Sequence, residues 1–405
     1  MSILKGKEIV FGVTGCIAAY KAAELVRLIV REGANIQVVM TESSKEFVSA
    51  LTFQTLSGNP VVTDMFKLHH EKEIGHISLA QKADVLVVAP ATANIIGKAA
   101  GGIADDMLST VFMATKAPVL FAPAMNVNMW ESPVVQKNIS LLRSLGNSFV
   151  EPGFGDLACG VQGKGRLAEV EAILEEMIVI LSPKDFANKR VLVTAGPTQE
   201  SLDPARYLTN PSTGKMGFAI ARALKRRGAE VTVVTGPTVV SLPEGVKCVK
   251  IKTAEQMALE VNKCFEDMEI IIKSAAVADY RPKEVSSEKI KKEGSGIVLD
   301  LEKTSDILSD LGKKKGNRIL VGFAAETENL LANATGKLKN KNLDMIVAND
   351  ISRSDVGFGA EDNQVTLISQ DGTSEPLPKM GKDEVADVLL DRILSLKNSC
   401  GEQGR

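Results

Sequence analysis

Aromatic residues are scarce in this 405-residue chain: they make up 4%, with one Trp and three Tyr. That argues against the stacking platforms that hold single-stranded nucleic acid. Neither sign of charge is in excess. Lys plus Arg number 48 and Asp plus Glu 50, for a formal net charge of −2, so no global field draws in nucleic acid or an anionic membrane. A local basic patch remains compatible with this balance. No stretch reaches the roughly 18 consecutive apolar residues that a spanning helix needs. The N-terminus, MSILKGKEIVFGV, runs into a strand-like segment with no long apolar region and small-residue cleavage site. The expectation is a cytoplasmic protein. The five Cys, at 16, 159, 248, 264 and 400, are odd in number, scattered and without a CxxC pair, which disfavours a disulfide framework or structural zinc.

What is abundant is small and aliphatic. Hydrophobic residues make up 44% and charged residues 24%, the balance of a packed globular protein rather than a disordered or fibrous one. At about 100–200 residues per domain the length implies two or three domains. A strand–helix–strand pattern starts twice. EIVFGV (8–13) reads as a buried strand, followed by a turn at Thr14-Gly15-Cys16. A helix follows with Ala18, Ala22, Leu25, Val26 and Ile29 on one face and Gly33 as its stop, then a strand over 36–40. RVLVT (190–194) opens the second pattern. Met216, Ile220, Ala223 and Leu224 form the helix face, Gly228 is the stop, and a strand covers 231–235. The fold class expected is α/β, with two Rossmann-like domains and largely parallel sheets. Residues 1–181 and 190–398 are the expected domains. The polar, proline-containing stretch 182–189 is the expected linker, and 399–405 a frayed tail. Ligands of such sheets sit beyond the carboxyl ends of the strands, which singles out loops 14–18, 41–44, 90–94 and 123–130, and in the second half 195–214, 235–238, 274–282 and 323–327.

Two common uses of such openings fail on their motifs. A dinucleotide dehydrogenase needs G-x-G-x-x-G and an acid at the end of the second strand. The first turn is Gly12-Val13-Thr14-Gly15-Cys16-Ile17-Ala18, and the second strands end in Thr41 and in Thr235-Gly236. A P-loop needs Ser or Thr after Gly-Lys, where this chain has Met216 after Gly214-Lys215 and Thr209 in place of the first Gly. A mononucleotide phosphate held by hydroxyls and helix N-terminal amides fits better, with donors at Thr14, Thr41, Ser43 and Ser44 in one half and at Ser212 and Thr213 in the other.

Six segments, in this order, carry a closer likeness: GVTGCIAAYK (12–21), GHISLA (75–80), APATANIIGKAAGGIADDML (89–108), PAMNVNMW (123–130), NPSTGKMG (210–217) and AAVADYRP (275–282). With them the chain resembles the bifunctional phosphopantothenoylcysteine decarboxylase/phosphopantothenate–cysteine ligase family of coenzyme A biosynthesis over nearly its whole length. The first four look like a flavoprotein-type, FMN-dependent decarboxylase domain, and the last two like a CTP-dependent, nucleotide-binding ligase domain. A related FMN-fold enzyme, a peptidyl-cysteine decarboxylase or flavin prenyltransferase, is the alternative, disfavoured because neither needs CTP.

The resemblance implies roles. FMN would supply an electron sink through oxidation of the cysteinyl thiol, loss of CO2 and re-reduction. Gly15, Ile17, Ala18, Thr41, Ser43, Ala91, Thr92, Asn94 and Met125 would bind it. His76 would act as base, its near-neutral intrinsic pKa suiting that work. A metal site shared with His69 and His70 is disfavoured, because the spacing is not that of a helical zinc pair. Asn126 would hold the substrate carboxylate without a cation that opposes CO2 loss; a turn-closing Asn after Pro123 is the bland reading. Cys159, in a segment with five glycines between 153 and 165 that suggests a mobile flap, would donate the last proton. Trp130 reads as packing. In the ligase half the resemblance implies an acyl-cytidylate formed from CTP and 4′-phosphopantothenate, then attacked by L-cysteine, with Mg²⁺ offsetting phosphate charge. Asn210 would act on that intermediate. Ser212, Ala275, Ala276, Asp279, Lys289, Phe323, Lys337 and Lys341 would hold CTP, with Asp279 also a metal ligand. Lys291, Lys292 and Lys339 read equally well as solvated charge. The segment 303–307, Lys-Thr-Ser-Asp-Ile, departs from the Asn-Pro-Asp form expected there. The resemblance also implies homo-oligomers, trimer-based for the flavin domain and dimeric for the ligase domain, with small-molecule substrates and neither nucleic acid nor membrane as partner.

Overall fold

The structure is a computed structural model that describes residues 3–65, 75–156, 160, 162–243, 245–291, 297–352, 357 and 359–401. It divides into two units, Met1–Ser182 and Pro183–Arg405. The first unit contains β1 (Glu8–Val13), α1 (Ala19–Arg31), β2 (Asn35–Met40), α2 (Ala50–Ser57), α3 (Gly75–Lys82), β3 (Val85–Ala91), α4 (Ala93–Gly101) and α5 (Met107–Ala114). It continues with β4 (Val119–Pro123), α6 (Val127–Trp130), α7 (Pro133–Ser144), β5 (Ser148–Phe149), β6 (Gly153–Asp156), β7 (Gln162–Arg166) and α8 (Val170–Leu181). The sheet order is β2-β1-β3-β4-β5, parallel throughout. Helices cover both faces, so the strands are apolar runs rather than alternating ones: every residue of β3 and β4 is buried. On one face Phe11, Val13 and Val87 pack under Leu25, Ile29 and Ile173. On the other, Val10, Leu86 and Phe121 pack under Ile96, Leu108 and Ile139.

The second unit contains β8 (Arg190–Ala195), β9 (Gln199–Ser201), β10 (Tyr207–Thr209), α9 (Lys215–Arg226), β11 (Glu230–Thr235), β12 (Lys247–Lys250), α10 (Ala254–Phe265) and β13 (Ile270–Lys273). Then come β14 (Tyr280–Pro282), β15 (Leu301–Lys303), α11 (Ile307–Lys313), β16 (Ile319–Glu326), α12 (Leu330–Asn340) and β17 (Met345–Asp350). The chain ends with β18 (Asp362–Asn363), β19 (Val365–Ser369), β20 (Ser374–Pro376), β21 (Met380–Gly381) and α13 (Lys382–Gly401). Its main sheet runs β12-β11-β8-β13-β16-β17-β19-β20. The first six strands are parallel, and β19 and β20 are antiparallel. Helices α9 and α13 cover one face through Phe218, Leu224, Leu389 and Ile393. Helices α10, α11 and α12 cover the other through Met257, Leu311 and Leu338. Strand order reverses at β8, where the chain leaves first towards β11 and later towards β13, and that reversal opens a crevice at the carboxyl edge.

Two expectations change. The stretch 182–189, expected as a linker, is mostly part of the second unit. Phe186 is fully buried in its core, Asp185 pairs with Arg227 at 2.6 Å, and Lys184 donates to the Arg226 carbonyl at 2.7 Å. A single large aromatic side chain outweighs the polar composition around it. The tail expected to fray from 399 is helical to Gly401; 402–405 lie outside the described residues. The ends of the glycine-rich segment expected as a flap pair as the antiparallel strands β6 and β7, and 157–159 and 161 lie outside the described residues. Among the described residues no helix is long and apolar enough to cross a membrane.

Candidate functional site

In the first unit the loops after β1, β2, β3 and β4 meet at one sheet edge. The Thr14 hydroxyl is buried. It donates to the Pro90 carbonyl at 2.7 Å and accepts the Thr92 N–H at 3.2 Å, joining the β1 and β3 loops; the Ala89–Pro90 peptide between them is cis. Thr41 donates weakly to the Val13 carbonyl at 3.4 Å and lies 3.4 Å from the Ser43 hydroxyl. Gly15 faces Ser43 so closely that an added Cβ would come within 2.6 Å of the Ser43 Cβ. Thr92 caps α4, accepting from Ile95 N. Met125 N donates to the Gly165 carbonyl at 2.9 Å, and a Cβ on Gly165 would strike the Met125 carbonyl. Asn126 caps α6, its Oδ1 accepting from Asn128 N at 2.8 Å. His76 lies half-buried in the first turn of α3, which packs against α5.

This brings Gly15, Ile17, Ala18, Thr41, Ser43, Ala91, Thr92, Asn94, Met125 and Asn126 to four loops of one sheet edge. Ile17 is 57% exposed there, an apolar side chain offered to solvent or to a ligand. Cys159, His69 and His70 lie outside the described residues. Cys16 is half-buried against the core. Burial pushes its thiol up, with a hydrogen bond at Ala18 opposing, so it is a packing group rather than a nucleophile. Trp130 is buried.

The second unit holds a cleft of about 600 Å³ along its carboxyl edge, lined by residues of the segments that follow β10, β13 and β15, of the ends of β16 and β17, and of helices α9, α11 and α12. Its walls are built by close backbone approach. A Cβ on Gly217 would lie 2.6 Å from Ala195 Cβ, and Gly214, at the head of α9, has φ +81°. The loop after β13 is laced to its neighbours. Ala275 N donates to the Thr194 hydroxyl at 3.1 Å, Ala278 N to the Thr198 hydroxyl at 3.0 Å, and the Thr304 hydroxyl to the Ala278 carbonyl at 2.7 Å. Asn210 Nδ2 donates to the carbonyls of Ala276 and Val277, each at 3.2 Å. That fixes its plane and leaves its Oδ1 outside those two contacts.

The cleft is cationic. Lys215, Lys273, Lys303, Lys337, Lys341 and Lys382 line it, against Asp279 and Asp306. Lys337 pairs with Glu326 at 2.6 Å and Lys341 with Asp306 at 2.8 Å. Burial would push the Asp306 carboxyl up, but Lys341 and the Ser309 N–H hold it below the usual range. Burial pushes the Lys273 ammonium down to about 8; Lys341 adds to this, and Asp306 and Asp279 oppose it.

The sequence profile described as Flavoprotein matches residues 2–182, and that described as DNA/pantothenate metabolism flavoprotein C-terminal domain matches 186–396. The chain is 47% identical over 410 residues to the coenzyme A biosynthesis bifunctional protein CoaBC of Bacillus subtilis, covering 99% of this chain and 100% of that one. The chain belongs to the CoaBC family. With the Escherichia coli K12 relative the identity is 43%, over 97% of this chain and 98% of that one. A crystal structure of a CoaBC C-terminal domain covers 53% of this chain and 98% of that chain, with 43% identity and a TM-score of 0.46.

Of the residues singled out for the ligase half of this family, Asn210, Ser212, Ala275, Ala276, Asp279, Phe323, Lys337 and Lys341 all line the cleft. Lys289 does not. It is exposed, on a segment clamped elsewhere: Ile290 N donates to Asp203 Oδ2 at 3.2 Å, and Arg206 donates to the Ile290 carbonyl. Lys291 is exposed and Lys292 lies outside the described residues. The segment 303–307 lines the cleft despite its departure from the expected form. Missed were Lys215, Lys273, Asn349, Asn363 and Lys382. Lys273 directly ends a buried apolar strand, the one signal that would have found it. Among the described residues no cluster of three or more His, Cys, Asp or Glu could hold a metal.

Proposed function

We propose that the chain carries out two consecutive reactions. The second unit joins 4′-phosphopantothenate to L-cysteine at the expense of CTP. The first unit decarboxylates the product to 4′-phosphopantetheine, with FMN as cofactor. The observation that supports the ligase half is the lysine-lined cleft with Asn210 locked beside Ala276 and Val277. A polyanion that develops more charge as its phosphate is attacked needs such preorganised donors and cations. Lys337, Lys341 and Lys273 offset triphosphate charge, and Asn210 holds the Ala276–Val277 loop in place beside the acyl group. Mg²⁺ fits as a metal carried in by the triphosphate, because it commonly uses one or two carboxylates plus substrate phosphates, and Asp279 is exposed at the cleft. Lys289 joins the site only if its segment moves, or as a contribution from a second copy of the chain. A dimeric ligase unit, with trimer-based flavin units, belongs to this reading.

The first unit fits a flavin. The missing Cβ of Gly15 leaves the turn flush against Ser43, and the Thr41 and Ser43 hydroxyls and the loop N–H groups suit its phosphate. When bound, FMN supplies reversible oxidation of the cysteinyl carbon that makes carboxylate loss feasible. Asn126 holds the departing carboxylate by a neutral amide, His76 handles the proton of the substrate, and Cys159 returns a proton to the product. Cys16, Cys248 and Cys264 are free thiols, which suits the reducing cytosol. Mass spectrometry of one mixture of protein, 4′-phosphopantothenate, L-cysteine, CTP and Mg²⁺ tests both halves. CTP-dependent 4′-phosphopantetheine is the expected product. A stalled phosphopantothenoylcysteine peak refutes the decarboxylase half, and no new peak refutes the ligase half.

A further inference from the structure

Among the described residues only two carboxylates are buried, Glu200 at 4% and Asp203 at 2% exposed. The reactions above use neither. Both belong to the β9–β10 hairpin and its turn. Glu200 roots the hairpin. Its Oε1 accepts the Ala254 N–H at the head of α10 at 2.8 Å, where negative charge is favoured, and the neighbouring Gln199 N donates to the Lys252 carbonyl at 2.8 Å. Asp203 closes the turn. Its Oδ1 accepts from Ala205 N at 2.7 Å and Arg206 N at 2.8 Å, as an Asp at a turn does. One oxygen is enough for that. The other, Oδ2, accepts from Arg206 Nε at 2.9 Å and from Ile290 N, 87 residues along the chain, at 3.2 Å.

The second oxygen begins a clamp. Arg206 donates onward to the Ile290 carbonyl, and Ser286 N donates to the Leu202 carbonyl at 3.0 Å. Segment 286–290 is thus tied to the turn at three points, two of them on the residue after Lys289. Burial would push the Asp203 carboxyl up, but the N–H groups of Ala205, Ile290 and Arg206 hold it below the usual range, and the Arg206 charge adds to this. The acceptor is therefore ionised at neutral pH, and bonds to an ionised acceptor are the strong ones. Lys289 itself is exposed. A lysine ammonium on a flexible four-carbon stem loses much rotamer freedom when it is placed. With the backbone beside it fixed, only the side chain's freedom remains to be lost. The same hairpin runs through β10 into Asn210, which is tied to Ala276 and Val277. One rigid element therefore holds the lysine segment at its turn and delivers Asn210 at its base.

We propose that Asp203 is a positioning residue for ligation: its second oxygen fixes the backbone beside Lys289 and so sets the reach of that ammonium to the CTP triphosphate. This rests on the ligase reading in the form that brings Lys289 from a second copy of the chain, because three ties oppose movement of the segment to its own cleft. Asp203→Asn separates the two jobs of the carboxylate. The amide oxygen still accepts from Ala205 and Arg206, whereas the amide nitrogen sets donors against Ile290 N–H and the Arg206 guanidinium. The test is CTP-dependent pyrophosphate release by the full chain with 4′-phosphopantothenate, for wild type, Asp203→Asn, Lys289→Gln and the double variant. Asp203→Asn is expected to lose about tenfold in kcat/KM for CTP, and Lys289→Gln about tenfold or more. The double variant is expected to stay within about twofold of Lys289→Gln alone, because the aspartate acts through the lysine. Losses that multiply in the double variant mean a structural role and overturn the proposal, as does a wild-type rate for Asp203→Asn. Hydrogen exchange of wild type checks the clamp even if the variants fail to fold. The Ile290 amide is expected to exchange at least about tenfold more slowly than an unprotected one, and free exchange overturns the proposal. Absence of pyrophosphate release by wild type fails the ligase reading itself, whereas full activity of Lys289→Gln fails only this inference.

Discussion

The two units share a parallel sheet with ligand loops at its carboxyl edge, yet they furnish those loops differently. In the first unit the loop groups are hydroxyls, amides and glycines, tied by Thr14 to Pro90 and Thr92, and an apolar Ile17 faces outward. In the second, six lysines line the cleft. Hydroxyls, amides and glycines suit a flat ligand with a single phosphate, whereas a lysine-lined cleft suits a polyanion. The same edge can serve either purpose because the fold fixes where ligands bind and the loops fix which ones.

Four substitutions break or sharpen that contrast. Asn210→Ala should have the largest effect: a loss of about 10²–10³ in ligation rate, the order found when a preorganised polar group at a reaction centre is removed, because it unties the Ala276 and Val277 carbonyls. Decarboxylation of supplied phosphopantothenoylcysteine should continue, and an unchanged rate of CMP release would remove Asn210 from the reaction. Gly15→Val puts a side chain where Ser43 already sits. It should weaken flavin retention by about tenfold or more, given the cost of overpacking, as read from flavin absorbance after gel filtration, and leave ligation intact.

Lys273→Met should weaken CTP binding by about tenfold at pH 7, the order expected for a partly desolvated cation. The sign follows from the lowered pKa. The group is charged below about 8 and loses its proton as pH rises through that value, so wild-type affinity should fall above pH 8 and converge on the variant's. A constant ratio from pH 6.5 to 9.5 would mean that Lys273 acts through packing alone. Thr14→Val should have the smallest catalytic effect. It removes a buried hydroxyl that serves two loops, at a cost of about 1–3 kcal/mol, seen as a lower flavin-unit Tm and a modest loss of flavin, with CTP binding unaffected.

Apolar strand runs and glycine stops were legible because their cause is local. The run at 270–272 is a strand in the structure, and Gly33 and Gly228 follow their helices with φ of +85° and +90°. Most of the residues expected for the ligase half from motif order line one cleft. What escaped was set by distant packing. Asn363 is polar on a two-residue strand, and nothing in its neighbourhood tells that β17 and α9 enclose it. Phe186 looked like one apolar residue in a polar bridge until α9 and α13 closed over it. Lys289 shows the converse, a motif residue that the single chain leaves outside the cleft.

Arg227 gives the junction between the units a practical meaning. Arg227 is 4% exposed; its guanidinium lies 5.1 Å from the Phe186 ring centroid and is shared between Asp185 and Asp391 at 2.6 and 2.8 Å. A gene fragment cut at Arg190, where the strand begins, would discard both the ring and one carboxylate and leave the buried cation with Asp391 as its remaining carboxylate. A fragment cut at Pro183 keeps all three. Where the coding sequence is divided, rather than how much of it is kept, decides whether the ligase half can be produced alone.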